Sequence, residues 1–69
     1  MSVTASELEV LRIIKQKNDL ISMKELSSKA GLEIGYTYML CKSLEKQGCI
    51  GFLTHSSCRI TAKGKNITS

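Results

Sequence analysis

The sequence contains no proline, no repeat and no low-complexity segment, so nothing in it separates one folding unit from another. It also has no apolar run of the ~18–20 residues that a membrane span needs, and its first residues lack signal-peptide character. These absences argue against a membrane or exported protein and favour a cytoplasmic one. The rest of the composition, 42% hydrophobic and 23% charged residues, is typical of a globular domain.

The length of 69 residues allows one domain over residues 1–69. A chain of this size buries only about 60% of the surface that it exposes when unfolded, so its core is small. An enzyme with its own substrate cavity is therefore not expected, and no catalytic residues are predicted.

Acidic residues are scarce in the second half of the chain. Residues 1–33 hold five basic and five acidic side chains, whereas residues 34–69 hold five basic side chains against Glu45 alone. The whole net charge of +4 therefore lies in residues 34–69. Such one-sided basic charge favours a polyanionic partner, most simply nucleic acid, and the alternative is a solvated surface that keeps a small domain soluble.

The three cysteines lack Cys-x-x-Cys spacing, and His55 is the one further candidate for a zinc ligand. We therefore expect no metal and no cofactor, and reduced thiols that pack as small hydrophobic side chains. Catalysis by His55 with a cysteine is not expected either, because no third group that would orient the pair is evident.

Two capping boxes mark the first two helices. Thr4 with Glu7 predicts a helix over residues 5–17, and Ser22 with Glu25 predicts a short helix over residues 23–30, which Gly31 ends. Between these helices, Leu20 and Ile21 are interpreted as a short extended connector.

A third helix is predicted over residues 34–47, followed by a two-stranded hairpin within residues 49–61 and by a frayed tail or a single turn from Lys63. The predicted fold class is mainly α with a small β-hairpin: a three-helix bundle with a helix-turn-helix and a two-stranded wing. The expected core residues are Leu8, Leu11, Ile14, Leu26, Leu32, Leu40, Leu44, Ile50, Phe52 and Ile60.

Residues 20–53 resemble the winged helix-turn-helix core of bacterial and archaeal transcriptional regulators of the MarR and ArsR groups. The resemblance rests on Glu25-Leu26, on Ala30-Gly31-Leu32 and on Leu44-Glu45-Lys46-Gln47-Gly48-Cys49-Ile50. The segment Ile60-Thr61-Ala62-Lys63-Gly64-Lys65 is similar to the Leu-Thr-x-x-Gly-Arg signature that closes the wing in that family. The resemblance implies a DNA-binding transcriptional regulator that inserts its third helix into the major groove of double-stranded DNA.

The sequence departs from the family pattern at several points. Thr37 and Cys41 stand where aliphatic residues are usual, and the wing loop is only about four residues long, without the Asp/Arg-rich tip common in MarR-type wings. The 69 residues contain no counterpart of the long extra helices through which many full-length regulators dimerise. A stable dimer through such helices is therefore not expected.

Helical geometry predicts which residues meet DNA. If Thr37, Cys41 and Leu44 point to the core, four residues fall within about 40° of the opposite direction, and two tyrosines lie on the flanks. Arg59 and the wing tip are expected on the flanking DNA backbone. The predicted DNA-binding residues are Gly35, Tyr36, Tyr38, Met39, Lys42, Lys46, His55, Ser56 and Arg59.

Other interpretations of these residues stay open. The tyrosines could cover the core or helix 1, and Arg59 could be an exposed strand charge. The recognition face has no Arg, Asn or Gln before Gln47, which favours the alternative of a winged-helix protein–protein interaction module in a larger assembly. Recognition of left-handed nucleic acid of the Z-alpha kind is disfavoured, because the chain has no Trp or Pro and Lys42 replaces the tyrosine of that family.

Helix 1 raises the question of a second copy of the chain. Its apolar residues span more than the ~100° that packing against one core requires, and Val10 or Ile13 is in excess. This surplus predicts a weak homodimer through helix 1.

Overall fold

The computed structural model of the chain describes residues 3–69 and contains four helices and a three-stranded antiparallel sheet in that range. In chain order the elements are α1 (Ala5–Lys17), β1 (Ile21–Ser22), α2 (Met23–Ala30), α3 (Ile34–Lys46), β2 (Ile50–Thr54), β3 (Ser57–Ile60) and α4 (Ala62–Thr68). The order is that of a winged helix, in which α2, the turn after it and α3 form the helix-turn-helix.

Local hydrogen bonds explain where the first two helices begin and end. The Thr4 hydroxyl accepts from the Glu7 N–H at 3.2 Å, and the Glu7 carboxylate accepts from the Thr4 N–H at 2.9 Å, so the first predicted capping box is complete. At α2 the Ser22 hydroxyl accepts from the Glu25 N–H, without the reciprocal bond. Gly31 ends α2 at φ 68°, a left-handed conformation that glycine adopts without steric cost.

The sheet has one strand more than predicted. Its order is β1-β3-β2, so β3 is the central strand, and Ile21 of the expected connector pairs with Cys58 of β3. In the hairpin, Phe52 pairs with Cys58, and the register shifts between Phe52 and Thr54 near the wing tip. The prediction of a two-stranded sheet was therefore incomplete, because β1 pairs with a strand that lies far away in the sequence.

The core lies between the three main helices and the inner face of the sheet. Leu11, Ile14, Leu26, Leu44 and Ile50 are buried, as predicted. Five other expected core residues are only partly buried: Leu8, Leu32, Leu40, Phe52 and Ile60. Three further buried hydrophobic residues were not expected in the core: Val10, Ile21 and Met23. The cysteines Cys41, Cys49 and Cys58 are buried as small hydrophobic side chains, as predicted.

Val10 is fully buried within its own chain, and Ile13 packs partly buried against the core. The wide apolar face of α1 is explained by its neighbours, because α1 contacts α2, α3, α4 and β3. The interpretation of Val10 as surplus for a partner was therefore wrong.

Residues 62–68 form the helix α4, not the frayed tail or single turn that was predicted. The Thr61 hydroxyl accepts from the Gly64 N–H at 3.2 Å and donates to the Gly48 carbonyl at 2.6 Å. Gly64 is buried directly against the carbonyl of Cys49. The Thr-x-x-Gly segment thus joins α4, by hydrogen bonds and close packing, to the turn that follows α3.

The three cysteines are free and fully buried. Contact with the Cys58 thiol and burial raise the pKa of Cys41, so this thiol is protonated at neutral pH. Between residues 3 and 69, no helix combines the length and the apolar character needed to cross a membrane.

Candidate nucleic-acid interface

α3 has one face in the core and one in solvent, as the helical spacing predicts. Thr37, Cys41 and Leu44 are fully buried, and the Thr37 hydroxyl donates to the Glu33 carbonyl at 2.9 Å, which satisfies it inside the core. On the opposite side, Met39 is 67% exposed, the highest value among the large hydrophobic side chains described. Tyr36 and Tyr38 of the same helix are exposed as well, and apolar surface that is grouped in this way favours contact with a partner.

Tyr38, Lys42 and Phe52 form a cluster, here called the aromatic cluster, between α3 and β2. The rings of Tyr38 and Phe52 meet edge to face with centroids 5.8 Å apart. The Lys42 Nζ lies 5.1 Å from the centroid of Phe52 and 6.0 Å from that of Tyr38. Such contacts restrict the side chains of Tyr38 and Lys42 without removing either from solvent.

Lys42 also has an ionic partner within α3. Its Nζ lies 2.9 Å from the Glu45 Oε1, and this hydrogen bond raises the pKa of Lys42. The pair is exposed to solvent, where ion pairs contribute little to stability and exchange partners readily. Lys42 can therefore leave Glu45 for a phosphate.

Four predicted site residues line one open depression of about 340 Å³ on α3: Tyr38, Met39, Lys42 and Lys46, together with Ser43. Lys46 has no carboxylate within 4.0 Å among residues 3–69. The depression therefore combines an aromatic and an apolar surface with one paired and one unpaired cation.

The first turn of α3 is also exposed. Ile34 is 50% exposed and Tyr36 43% exposed, and Gly35 between them is exposed as well. Glu33 precedes the helix as its N-cap residue but makes no side-chain capping hydrogen bond. Both tyrosines are exposed on the surface of α3.

The wing tip is tied to the rest of the domain. His55 and Ser56 are exposed, but the Ser56 carbonyl accepts from the Met23 N–H at 2.8 Å. The Ser56 N–H donates to the Thr54 hydroxyl at 3.2 Å. The bond from Met23 holds the tip beside the start of α2.

Arg59 lies apart from the residues of α3. It alternates with the buried Cys58 on the central strand, so it is on the outer face of the sheet, opposite Gly51. There it lines a separate depression of about 310 Å³ with Asn18, Asp19, Ile60 and Lys65. The structure therefore brings Arg59 together with α4 and the end of α1, not with the depression on α3.

Sequence reasoning missed three residues at this surface. Phe52 was expected in the core but contributes one of the two rings of the aromatic cluster, while Ile34 and Leu53 are 50% and 53% exposed. Alternation along β2 marked Phe52 as inward-facing, but it gave no sign that β2 is an edge strand beside Tyr38. The exposure of Ile34 could have been predicted from its position at the start of a helix, directly before a glycine expected on the exposed face.

Within the described range, no three side chains of His, Cys, Asp or Glu lie close enough together to hold a metal ion. A comparison with protein-family models matches residues 3–57 to the MarR family. The chain belongs to the MarR family. Membership agrees with the winged-helix order of its elements, and the MarR family consists of DNA-binding transcriptional regulators rather than enzymes.

The family match ends at Ser57, inside the wing, so the Thr-x-x-Gly segment and α4 lie beyond it. No curated protein shows significant similarity to the chain.

Proposed function

We propose that this protein is a DNA-binding transcriptional regulator that inserts α3 into the major groove and places its wing on the flanking DNA backbone. The observation that supports this most is the exposed face of α3, where aromatic, apolar and lysine side chains line one depression. Groove insertion of the second helix of a helix-turn-helix is the usual docking geometry of this motif. Double-stranded DNA in the cytoplasm is the corresponding partner.

The unpaired basic side chains of the second half favour a polyanionic partner. The ion pairs among residues 3–69 join Lys17 and Lys29 to Glu25, and Lys42 to Glu45. Four cations of the second half have no carboxylate within 4.0 Å in the described range: Lys46, Arg59, Lys63 and Lys65. The positive charge that a phosphate backbone needs is thus available on α3, β3 and α4.

Each predicted residue has a role in this proposal. Lys42 and Lys46 contact phosphates, and Gly35 lets the DNA backbone come close to the start of α3. Tyr36, Tyr38 and Met39 face the base edges. The flanking DNA backbone is contacted by His55, Ser56 and Arg59.

A protein–protein interaction module is the competing function, and the exposure of Met39, Ile34 and Leu53 is the observation that favours it. The two functions differ in their response to salt. Binding to DNA releases counterions, so its affinity falls steeply with salt, whereas an apolar protein interface is much less sensitive.

The test is a salt titration of binding to fluorescent DNA duplexes for the wild-type chain, Lys46→Ala and Lys42→Ala. Each variant is expected to bind all sequences more weakly and to lower the salt slope by about one unit, because a phosphate contact positions the protein without specifying sequence. Arg12→Ala is the matched control, since it removes one exposed charge from α1, outside the proposed interface. Its slope is expected to equal that of the wild type.

If the two lysine variants and Arg12→Ala all showed the same salt slope, that result would contradict the proposed interface. Tyr38→Ala distinguishes base contact from phosphate contact, because it should reduce discrimination between DNA sites more than overall affinity. An unchanged affinity for DNA in all α3 variants, with loss of a protein complex on changing the surface of α1, would establish the interaction module instead.

The predicted homodimer through α1 has lost part of its support, since Val10 is buried in the core of its own chain. Ile13 remains partly exposed, and a second copy would have to pack against it. Sedimentation equilibrium over a range of concentrations tests this part of the proposal.

A further inference from the structure

The exposed face of α3 lacks the Arg, Asn and Gln side chains that recognise guanine and adenine through paired hydrogen bonds. α3 contains no Arg and no Asn, and Gln47 at its C-cap is engaged in its own helix. The Gln47 Nε2 lies 3.4 Å from the Ser43 carbonyl oxygen and 3.3 Å from the Ser43 hydroxyl, and it donates to both. The amide is therefore not free to contact an adenine.

The charged side chains of α3 are placed for phosphates rather than for bases. A helix-turn-helix contacts base edges mainly with the N-terminal residues of its second helix. Lys46 lies in the last turn of α3 and Lys42 one turn before it, so neither is among the N-terminal residues of the helix. Glu33 at the opposite end repels phosphate and could accept only from the amino group of cytosine or adenine.

The side chains left for the bases are apolar or aromatic, and Met39 is central among them. At about 100° per residue, Met39 points nearly opposite to the centre of the buried side formed by Thr37, Cys41 and Leu44. It is 67% exposed, and it lies on the depression that Lys42 and Lys46 flank. In the major groove, the one apolar group that distinguishes a base is the 5-methyl of thymine.

Gly35 supports a close approach at the same place. Gly35 and Met39 are four residues apart and share a face of α3. A Cβ at Gly35 would meet only the Glu33 Oε1, at 3.8 Å, which is an ordinary contact. Packing inside the chain therefore does not require glycine at position 35. Glycine also weakens a helix, so its presence here needs another reason. The close approach of an outside surface, such as DNA, to this part of α3 is such a reason.

We infer that α3 recognises thymine through its 5-methyl group, with Met39 as the central specificity-determining contact and Gly35 giving the helix access to the groove floor. The flexible and polarisable side chain of methionine fits an irregular apolar surface of this kind. This inference rests on the proposed function, since it names the chemical feature that the proposed interface recognises. The lysines at the edge of the depression on α3 supply positive charge, which directs this surface to DNA rather than to an uncharged partner.

The experiment begins with selection of duplexes of about 20 base pairs from a random library by the wild-type chain. The expected central positions are rich in thymine. The selected duplex is then made with deoxyuridine in place of thymidine, one position at a time, which removes the methyl group and leaves the hydrogen-bonding edges unchanged. Loss of one contacted methyl should weaken binding about four-fold, from the ~0.8 kcal/mol that burial of one such group contributes.

Two variants locate the effect on α3. Met39→Ala should bind the thymidine duplex more weakly and respond little to deoxyuridine, whereas Ile67→Ala, which shortens a 38% exposed side chain on α4, should behave as the wild type. Gly35→Ala should raise the melting temperature of the chain and weaken DNA binding. Met39 and Gly35 are both exposed, so these variants are expected to fold.

Equal binding of the thymidine and deoxyuridine duplexes by the wild-type chain would overturn the inference and leave the proposed function standing. A selected site whose central positions are guanine and cytosine would overturn it in the same way. Failure of the selection to enrich any duplex, with no salt-dependent binding, would refute the proposed function and the inference together.

Discussion

Gly64 shows how one residue fixes the position of a whole segment. A Cβ at this position would collide with the Cys49 carbonyl oxygen and would lie 2.7 Å from the Cγ1 of Ile60. The colliding atom belongs to the backbone, which cannot rotate away as a side chain can. The glycine in the wing-closing signature therefore has a steric reason, because α4 packs directly on the turn after α3.

Gly64→Ala is expected to destabilise the chain by about 1–3 kcal/mol, the usual cost of adding a methyl group where no space exists. Urea denaturation followed by circular dichroism measures the effect. Gly51→Ala is the matched control, because a Cβ at Gly51 would meet nothing within 4 Å. Equal stability of the two variants would contradict the close packing of α4.

Burial at single positions was predictable where one helix decides it. The spacing of Thr37, Cys41 and Leu44 places them on one side of α3, and all three are buried. Burial that depends on distant segments was not predictable, as Val10 and Phe52 show. Val10 is buried because α1 is surrounded by several elements, and Phe52 is only partly buried because its strand lies at the sheet edge.

At the scale of elements, Glu7 links α1 to α3 by a nearly buried polar contact. Its side chain is a capping partner of Thr4, and Ser43 near the end of α3 and Gln47 at its C-cap lie beside the carboxylate. The hydrogen bond from Ser43, with smaller contributions from Thr4 and Gln47, lowers the pKa of Glu7 below its ordinary value. The ionised carboxylate thus stabilises the packing of the two helices.

The pH dependence of stability follows from the direction of this shift. A lowered pKa means that Glu7 contributes stability fully above its ordinary pKa of 4.5, and that this contribution is lost as the pH falls through the lower pKa of the folded state. Glu7→Gln should therefore be less stable than the wild type at pH 7 and should lose less stability on acidification.

Urea denaturation at neutral and acidic pH measures this difference. Glu9→Gln removes an exposed carboxylate from the same helix and should leave the acid dependence close to that of the wild type. If Glu7→Gln and Glu9→Gln show the same acid dependence, the link between Glu7 and Ser43 is not a source of stability.

Sequence patterns predicted the three longer helices and the hairpin but missed β1 and α4. β1 has two residues, and its pairing of Ile21 with Cys58 joins segments far apart in the chain, which no local pattern shows. α4 has seven residues, including a glycine, so its intrinsic helix propensity is weak. Contacts with α1 and with the turn after α3 stabilise it instead.

The candidate interface was also predictable only in part, where the geometry of a single helix decides it. Helical geometry alone is enough to place Met39, Lys42 and Lys46 on one face, and these residues line one depression. The positions of Arg59 and Phe52 depend on how the sheet packs, so the sequence did not show that Arg59 faces Lys65 and Asn18.

At the scale of the whole molecule, the small core makes the fold sensitive to a single change. Eleven hydrophobic residues are buried among those described. Domains gain roughly 0.05–0.15 kcal/mol of stability per residue, which corresponds to about 3–10 kcal/mol for a chain of this length. Leu44 is fully buried in the core cluster, and protein interiors are close-packed, so its neighbours fill a cavity there only in part.

Leu44→Ala is therefore expected to cost about 2–5 kcal/mol and to unfold much of the population at ambient temperature. Leu40→Ala, one turn earlier on α3, is the matched control, because Leu40 is only partly buried and its loss should cost distinctly less. Thermal denaturation followed at a helical circular dichroism band compares the two. A Leu44→Ala chain that melts at or above the temperature of Leu40→Ala would show that α3 does not face the core in the register described, and the exposed face assigned to DNA would have to move with it.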